Sequence, residues 1–230
     1  SVAHVNHMFR GAAAHADAVF VGQVCAALGL DFFHTAINVP EYIDDSGRSP
    51  QDAARILRYG YLRRAAAFCQ AKIVTGHHMD DQAETVLLNL LRGAGSSGLA
   101  GMKPAGGDVI RPFLEITREE IEAFCVERNL TPRLDGSNLK TDYLRNYLRL
   151  ELMPLLRRRF NANLSQALCR TAWLINDERD FVAGQADKAW RKVAMKTAQG
   201  LAVNCRELGL LHVALRREII RQAIMKKQGE

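Results

Sequence analysis

The stretch "AKIVTGHHMDDQAETVLLNLLRG", residues 71–93, changes periodicity in its middle. Ile73 and Val74 belong to a short apolar run that ends near Thr75, whereas from Asp80 onward Ala83, Val86, Leu87, Leu90 and Leu91 recur at helical spacing. A buried strand feeding directly into a helix is the repeating unit of a parallel sheet covered by helices. The same rhythm runs upstream: "SVAHVNH" (1–7) reads as a strand, "AAAHADAVFVGQVCAALGL" (12–30) as a helix and "DFFHTAINV" (31–39) as a strand. After a loop "PEYIDDSGRSP" (40–50) comes "QDAARILRYGYLRRAAAFCQ" (51–70), a helix with Pro50 at its entrance. Downstream, "GDVIRPF" (107–113) fits a strand, and Thr117 with Glu120 three residues on forms a capping box for a helix over 117–129. From about residue 140 the pattern is helical throughout, with no convincing strand. The expected fold is therefore α/β, a Rossmann-like parallel sheet over 1–156, followed by an all-helical domain over 157–230.

The 230 residues, 48% hydrophobic and 24% charged, supply one sizeable core. No apolar run approaches the roughly 18 to 20 residues of a membrane helix, and no signal peptide is visible, so a cytoplasmic protein with no membrane partner is expected. Five cysteines lie far apart without a C-x-x-C pair, which favours buried thiols over a zinc site or redox pair. The net charge of +6 is unevenly spread. Residues 140–230 hold 18 Lys+Arg against 9 Asp+Glu, and the first 139 hold 13 against 16. A basic half joined to a mildly acidic one fits either a polyanion-binding surface or solvated helix faces.

"RGAGSSGLAG" (92–101) fits the G-x-G-x-x-G spacing of a dinucleotide-binding turn. That motif works only where a strand enters the glycines and a helix leaves them. Here a helix enters and a loop with Pro104 leaves, which excludes the reading.

The chemistry is better placed just before that helix. His77, Asp81 and Glu84 are spaced four and three apart, so a helical turn puts them on one face at the carboxyl edge of a strand. Such a face suits Mg2+ bound with nucleotide phosphates, with Asp81 as a ligand. Equally, acidic residues in a first turn stabilise the helix dipole. His4, Asn6 and His7 stand at the end of the first strand on the same edge, as nucleotide contacts or as ordinary hydrogen-bonded residues. Arg58, with Arg63 and Arg64, can pair with phosphate or cover the solvent face of its helix.

In order along the chain, "HVNHMFRG" (4–11), "ARILRYGYL" (54–62), "TGHHMDDQAETVLLNLLRGAGSSGLAGM" (75–102), "IRPFLEITREEIEAF" (110–124) and "LRNYLRLELMPLL" (144–156) resemble the tRNA(Ile)-lysidine synthases. These belong to the N-type ATP pyrophosphatases of the PP-loop superfamily, with the adenine-nucleotide α-hydrolase type of fold. The resemblance implies an ATP- and Mg2+-dependent ligase. It adenylates C2 of the wobble cytidine in isoleucine tRNA with a CAU anticodon and then joins free lysine there, with AMP leaving, to form lysidine.

It also implies that His77, Asp81, Glu84 and Arg58 are active-site residues, with Arg58 near ATP; His4, Asn6 and His7 are expected to bind the nucleotide from their place on the strand edge. Arg145, Asn146 and Arg149 would handle tRNA, joined by Arg157 on the adjoining basic run, and a homodimer is expected. The family's S-G-G-x-D-S phosphate loop does not occur in these residues, so the chain is expected to be truncated at its N-terminus. Two alternatives stay open: a catalytically inactive RNA-binding remnant, and another ATP-pyrophosphatase tRNA modifier.

Overall fold

A computed structural model describes residues 1–133, 144–197 and 200–228. Thr141 to Tyr143, the start of the helix expected from about residue 140, lie outside the described residues.

The chain forms two compact units: Ser1–His78 with Pro104–Ser137, and Met79–Lys103 with Asn138–Glu230. These do not coincide with a division at 156. The helix that follows the strand at residue 73 groups with the C-terminal helices, because its apolar stripe is buried among them.

In the first unit, β1 (Val2–Asn6) pairs in parallel with β2 (Phe32–Ala36), from Val2 opposite Phe32 to Asn6 opposite Ala36. The crossover between them is α1 (Ala12–Ala27). After β2, α2 (Val39–Ser46) replaces the expected loop. Asn38 caps it by accepting from the Glu41 N–H, Pro40 occupies its first turn, and Gly47 closes it in the left-handed region. Val39, Tyr42 and Ile43 stand at helical spacing, i, i+3 and i+4, and together with the caps they are the signal that reading the segment as a loop passed over. Then α3 (Pro50–Phe68) starts at Ser49, whose hydroxyl accepts from the Asp52 N–H.

β3 (Ile73–Val74) pairs in parallel with β5 (Val109–Ile110), and β4 (Ala105–Gly106) adds an antiparallel hairpin. The hairpin turns through Gly107 at φ 59°. Tyr59, Ile73 and Val109 bury together with Leu62 and Ala66, which fixes α3 against these strands. The capping box of α6 (Arg118–Glu127) forms as expected, Thr117 and Glu120 exchanging side-chain-to-backbone bonds.

The second unit is built on α4 (Met79–Leu91). Met79, Ala83 and Leu87 recur at four-residue steps and bury against Leu148, Met153 and Cys169. A short α5 (Ser96–Leu99) follows. The segment α7 (Leu144–Tyr147) continues through a π-helical turn (Leu148–Leu152) into α8 (Met153–Arg159). Pro154 has no N–H to give the carbonyl four residues back, and the wide turn, with the Met153 N–H reaching Leu148 O, absorbs that gap. The 30-residue α9 (Leu164–Val193) carries Cys169 and Ala172 at one end and Ala186 and Val193 at the other, where Ile219 joins them.

The expectation of no strand beyond residue 140 is corrected: β6 (Ala194–Thr197) and β7 (Gly200–Val203) form an antiparallel hairpin. Each strand has four residues, too few to show alternation, and β6 leaves α9 without a break. The unit ends with α10 (Cys205–Leu210), capped by Asn204, and α11 (Val213–Gln228). Among the described residues no helix is long and apolar enough to cross a membrane.

Candidate functional site

The residues singled out by sequence fall into two groups, one in each unit. In the first unit, β1 delivers His4, Asn6 and His7 to its carboxyl end. The His4 and His34 rings stand 5.7 Å apart, and Phe32 stacks on His34 at 6.0 Å. Asn6 is partly engaged: its Oδ1 accepts the Met8 N–H at 2.9 Å and holds Met8 at φ 59°.

His7 has a buried Nε2 with no partner among the described residues. Its pKa is pushed down, first by burial and then by the Arg58 guanidinium, with the Ala54 backbone opposing. His4 is also pushed down, by burial and then by His34. Arg58 itself is half-buried on α3, with Cζ 5.7 Å from the centre of the Tyr59 ring. Arg63 pairs with Asp108 at 2.7 Å in an exposed ion pair. His77 has Nδ1 2.8 Å from Thr75 Oγ1 and precedes α4, which begins at Met79, so it is not on the helical face that carries Asp81 and Glu84, contrary to the expectation from spacing.

Two histidines held neutral in the fold make stability depend on pH with a definite sign. The unfolded chain binds protons near pH 6.5 and the folded chain at lower pH. Stability is therefore complete above about 6.5 and falls as pH drops through that value toward the folded pKa values. Thermal unfolding followed from pH 7.5 to 5.5 should show a falling midpoint, and His7→Asn should flatten the fall.

The second unit holds a denser cluster. Asp81 and Glu84, three apart on α4, share one face. Glu84 is 4% exposed in its side chain and Asp81 15%. Two arginines four apart, Arg145 on α7 and Arg149 in the π-helical turn, meet that face together. Arg149 grips Glu84 with two nitrogens, Nε to Oε1 at 2.5 Å and Nη2 to Oε2 at 2.9 Å, and reaches Asp81 Oδ1 at 2.9 Å. Arg145 contacts the same carboxylates more loosely, at 3.1 Å to Glu84 and 3.4 Å to Asp81. The hydrogen bond to Glu84, against the opposing effect of burial, raises the Arg149 pKa further, so this guanidinium stays charged.

Asn146 follows Arg145 on α7, half-buried. Arg157 on α8 is held elsewhere: its guanidinium bonds Asp80 and, at 2.6 Å, the Ser165 hydroxyl, which itself donates to Asp80 at 2.9 Å. That network ties α8 and α9 to the start of α4, a bracing contact that the charge run around Arg157 did not reveal. The pairing of Arg145 and Arg149 with Asp81 and Glu84 was also missed. Its signal was a matched pair of face spacings, i and i+4 for the bases, i and i+3 for the acids.

The glycine stretch supports this face from behind. Gln82 is fully buried and clamps Met102 from both sides, Nε2 to the carbonyl at 3.0 Å and Oε1 from the N–H at 2.8 Å. Gly101, at φ 60°, lets the chain pass so close that a Cβ there would lie 2.7 to 2.9 Å from the Gln82 carboxamide. Asn89 donates to the Gly98 carbonyl at 2.8 Å.

No three His, Cys, Asp or Glu residues among those described converge on a metal position. Asp81 and Glu84 supply hard oxygen donors, so a Mg2+ there would take its remaining ligands from nucleotide oxygens and water, as that ion commonly does. The orphaned His7 Nε2 and the nearby Arg58 fit a polyanionic nucleotide in the first unit.

Comparison with known proteins agrees with the alternation of parallel strands and helices. A PP-loop domain model matches residues 1–156. Relatives named tRNA(Ile)-lysidine synthase include one from Geobacter sulfurreducens, 40% identical over 233 residues, covering 100% of this chain and 49% of the relative. Another, from Clostridioides difficile, is 36% identical over 231 residues, covering 99% and 50%. The chain spans about half the length of the curated relatives it matches. Among solved structures, the U34-tRNA thiolase NcsA from Methanococcus maripaludis, with its [4Fe-4S] cluster, matches with a TM-score of 0.59. The match has 16% identity and covers 76% of this chain and 61% of that one, a likeness of fold. With the family model covering more than half of its residues and the parallel pairings in place, the chain belongs to the PP-loop domain family.

Proposed function

We propose that the chain carries the lysine-handling part of an ATP-dependent ligase, which joins lysine to C2 of the wobble cytidine of isoleucine tRNA with a CAU anticodon. The observation that carries this reading is the pair of carboxylates, Asp81 and Glu84, side by side on α4 beneath two guanidiniums. The names of the relatives support the substrate class.

In the first step the cytidine O2 attacks the ATP α-phosphorus and pyrophosphate leaves. In the second the lysine amine attacks C2, a C–N bond forms, and the C2–O bond to AMP breaks with its electron pair. The incoming amine must first lose the proton of its ammonium form. Asp81 and Glu84 receive and orient that ammonium, and one of them takes the proton. Arg145, the more exposed and more loosely bonded base, is the group that gives way to it, while Arg149 keeps Glu84 in place. Asp81 would be the residue that holds Mg2+, which supplies neutralising positive charge. Arg58 adds positive charge toward ATP from α3, His7 offers its unpaired Nε2, and His4 and Asn6 shape the same strand end. Residues 1–156 would form the catalytic part and 157–230 the helical part that meets tRNA.

The test supplies ATP, labelled lysine and isoleucine tRNA to the chain, both alone and extended to the length of its relatives. Lysine on the tRNA is expected. Sulfur incorporation, or RNA binding with no transfer by either form, would assign the chain to one of the two alternatives.

A further inference from the structure

A cleft of about 410 Å3 opens in the second unit between the start of α5 and the facing sides of α9 and α11, and neither Asp81 nor Glu84 lines it. Its hydroxyl and guanidinium lining is Ser96 and Ser97 from the first turn of α5, Arg179 from α9, and Arg217 and Arg221 from α11. Arg179 Nη1 lies 3.3 Å from Ser96 Oγ, so hydroxyl and guanidinium converge on one wall. Glu218 faces Arg221 at 2.5 and 3.0 Å and neutralises it. Arg217 is exposed and carries no ion pair among the described residues. Glu178 also lines the cleft, leaving three guanidiniums against two carboxylates, a net charge of one positive.

We infer that this cleft binds a backbone phosphate of RNA, independently of the catalytic centre. Guanidiniums with adjacent hydroxyls match phosphodiester oxygens, and a single excess positive charge matches the single negative charge of each phosphodiester. The rest of the lining is aliphatic, Ile175, Val182 and Ala214, with no aromatic ring on which a base could stack. The contact therefore reads the strand's charge and path and carries no base preference. It also gives "GAGSSG" (93–98) a use that a dinucleotide turn did not: after Gly93 turns the chain in the left-handed region, Ser96 and Ser97 open α5 at the edge of the cleft.

This inference rests on RNA being the substrate, but its test needs neither ATP nor lysine. Fluorescence anisotropy of labelled tRNA is measured against salt for the chain and for Arg179→Ala, Arg217→Ala and Arg217→Lys. Each alanine variant should weaken binding several-fold and lower the salt slope by about 0.7 to 0.9, the share of one phosphate. The lysine variant should keep the slope, because it keeps the charge. Unchanged affinity and slope in both alanine variants, with unchanged circular dichroism, overturns the inference, as does an absence of tRNA binding by the parent chain. Polyglutamate binding that Arg217→Ala abolishes while tRNA binding is untouched would give the cleft to an acidic protein segment instead. A slope change without any lysine transfer leaves this site standing and defeats only the proposed reaction.

Discussion

Arg149→Ala is expected to destabilise the chain by about 2 to 4 kcal/mol, somewhat below the roughly 3 to 5 kcal/mol seen when one partner of a fully buried ion pair is removed. The reason is what stays behind. Glu84 keeps only 4% side-chain exposure, and without Arg149 it loses two of its hydrogen bonds and its closest countercharge. Arg145 remains at 3.1 Å and Arg149 is itself 25% exposed, which is why the full penalty is not expected. Urea unfolding read by circular dichroism measures the loss. Arg149→Lys should fall between, since an ammonium lacks the planar fork that grips both Glu84 oxygens. A change under about 0.5 kcal/mol would make the cluster no more than a surface ion pair.

Gly101→Val is expected to cost a comparable amount for a different reason. A left-handed conformation costs a residue with a side chain roughly 1 to 2 kcal/mol. The new Cβ also enters the space of the Gln82 carboxamide, 2.7 Å from its oxygen. Either the turn shifts or Gln82 releases Met102, and a buried amide without partners costs about 1 to 3 kcal/mol. Because Gln82 lies between Asp81 and Glu84 on α4, the shift should also impair turnover. Gly95→Val is the control: Gly95 has φ −72° and open space around its Cβ position, so the same residue there should change stability little. Equal effects at the two positions would contradict the clamp.

The parallel units were legible because strand and helix periods differ and the switch at Thr75 to Asp80 is abrupt. The capping box at Thr117 was legible because it is local chemistry. What escaped was short: α2, whose single repeat of Val39, Tyr42 and Ile43 is set among the turn-forming residues Pro40, Asp44, Asp45 and Gly47, and the β6–β7 hairpin, with strands too short to show alternation; the rest was decided by tertiary packing. The π-helical turn before Pro154 is visible only once the helix around it is known. At the site, spacing put His77, Asp81 and Glu84 on one face, which holds for the two carboxylates on α4 while His77 precedes that helix. The family resemblance with the adjoining basic run assigned Arg145, Arg149 and Arg157 to RNA. A basic residue in a sequence shows no preference between a phosphate outside and a carboxylate inside. The structure brings all three to the carboxylates of α4.

The most direct test of the account separates the two half-reactions in Glu84→Gln, which keeps the shape of the side chain and removes its charge. Pyrophosphate release from ATP in the presence of tRNA should persist, while transfer of labelled lysine should fall by about 100-fold or more, the scale of losing one electrostatic contact in an active site. Lysine transfer at the parental rate, or equal loss of both half-reactions, would contradict a lysine-handling role for the Asp81–Glu84 pair.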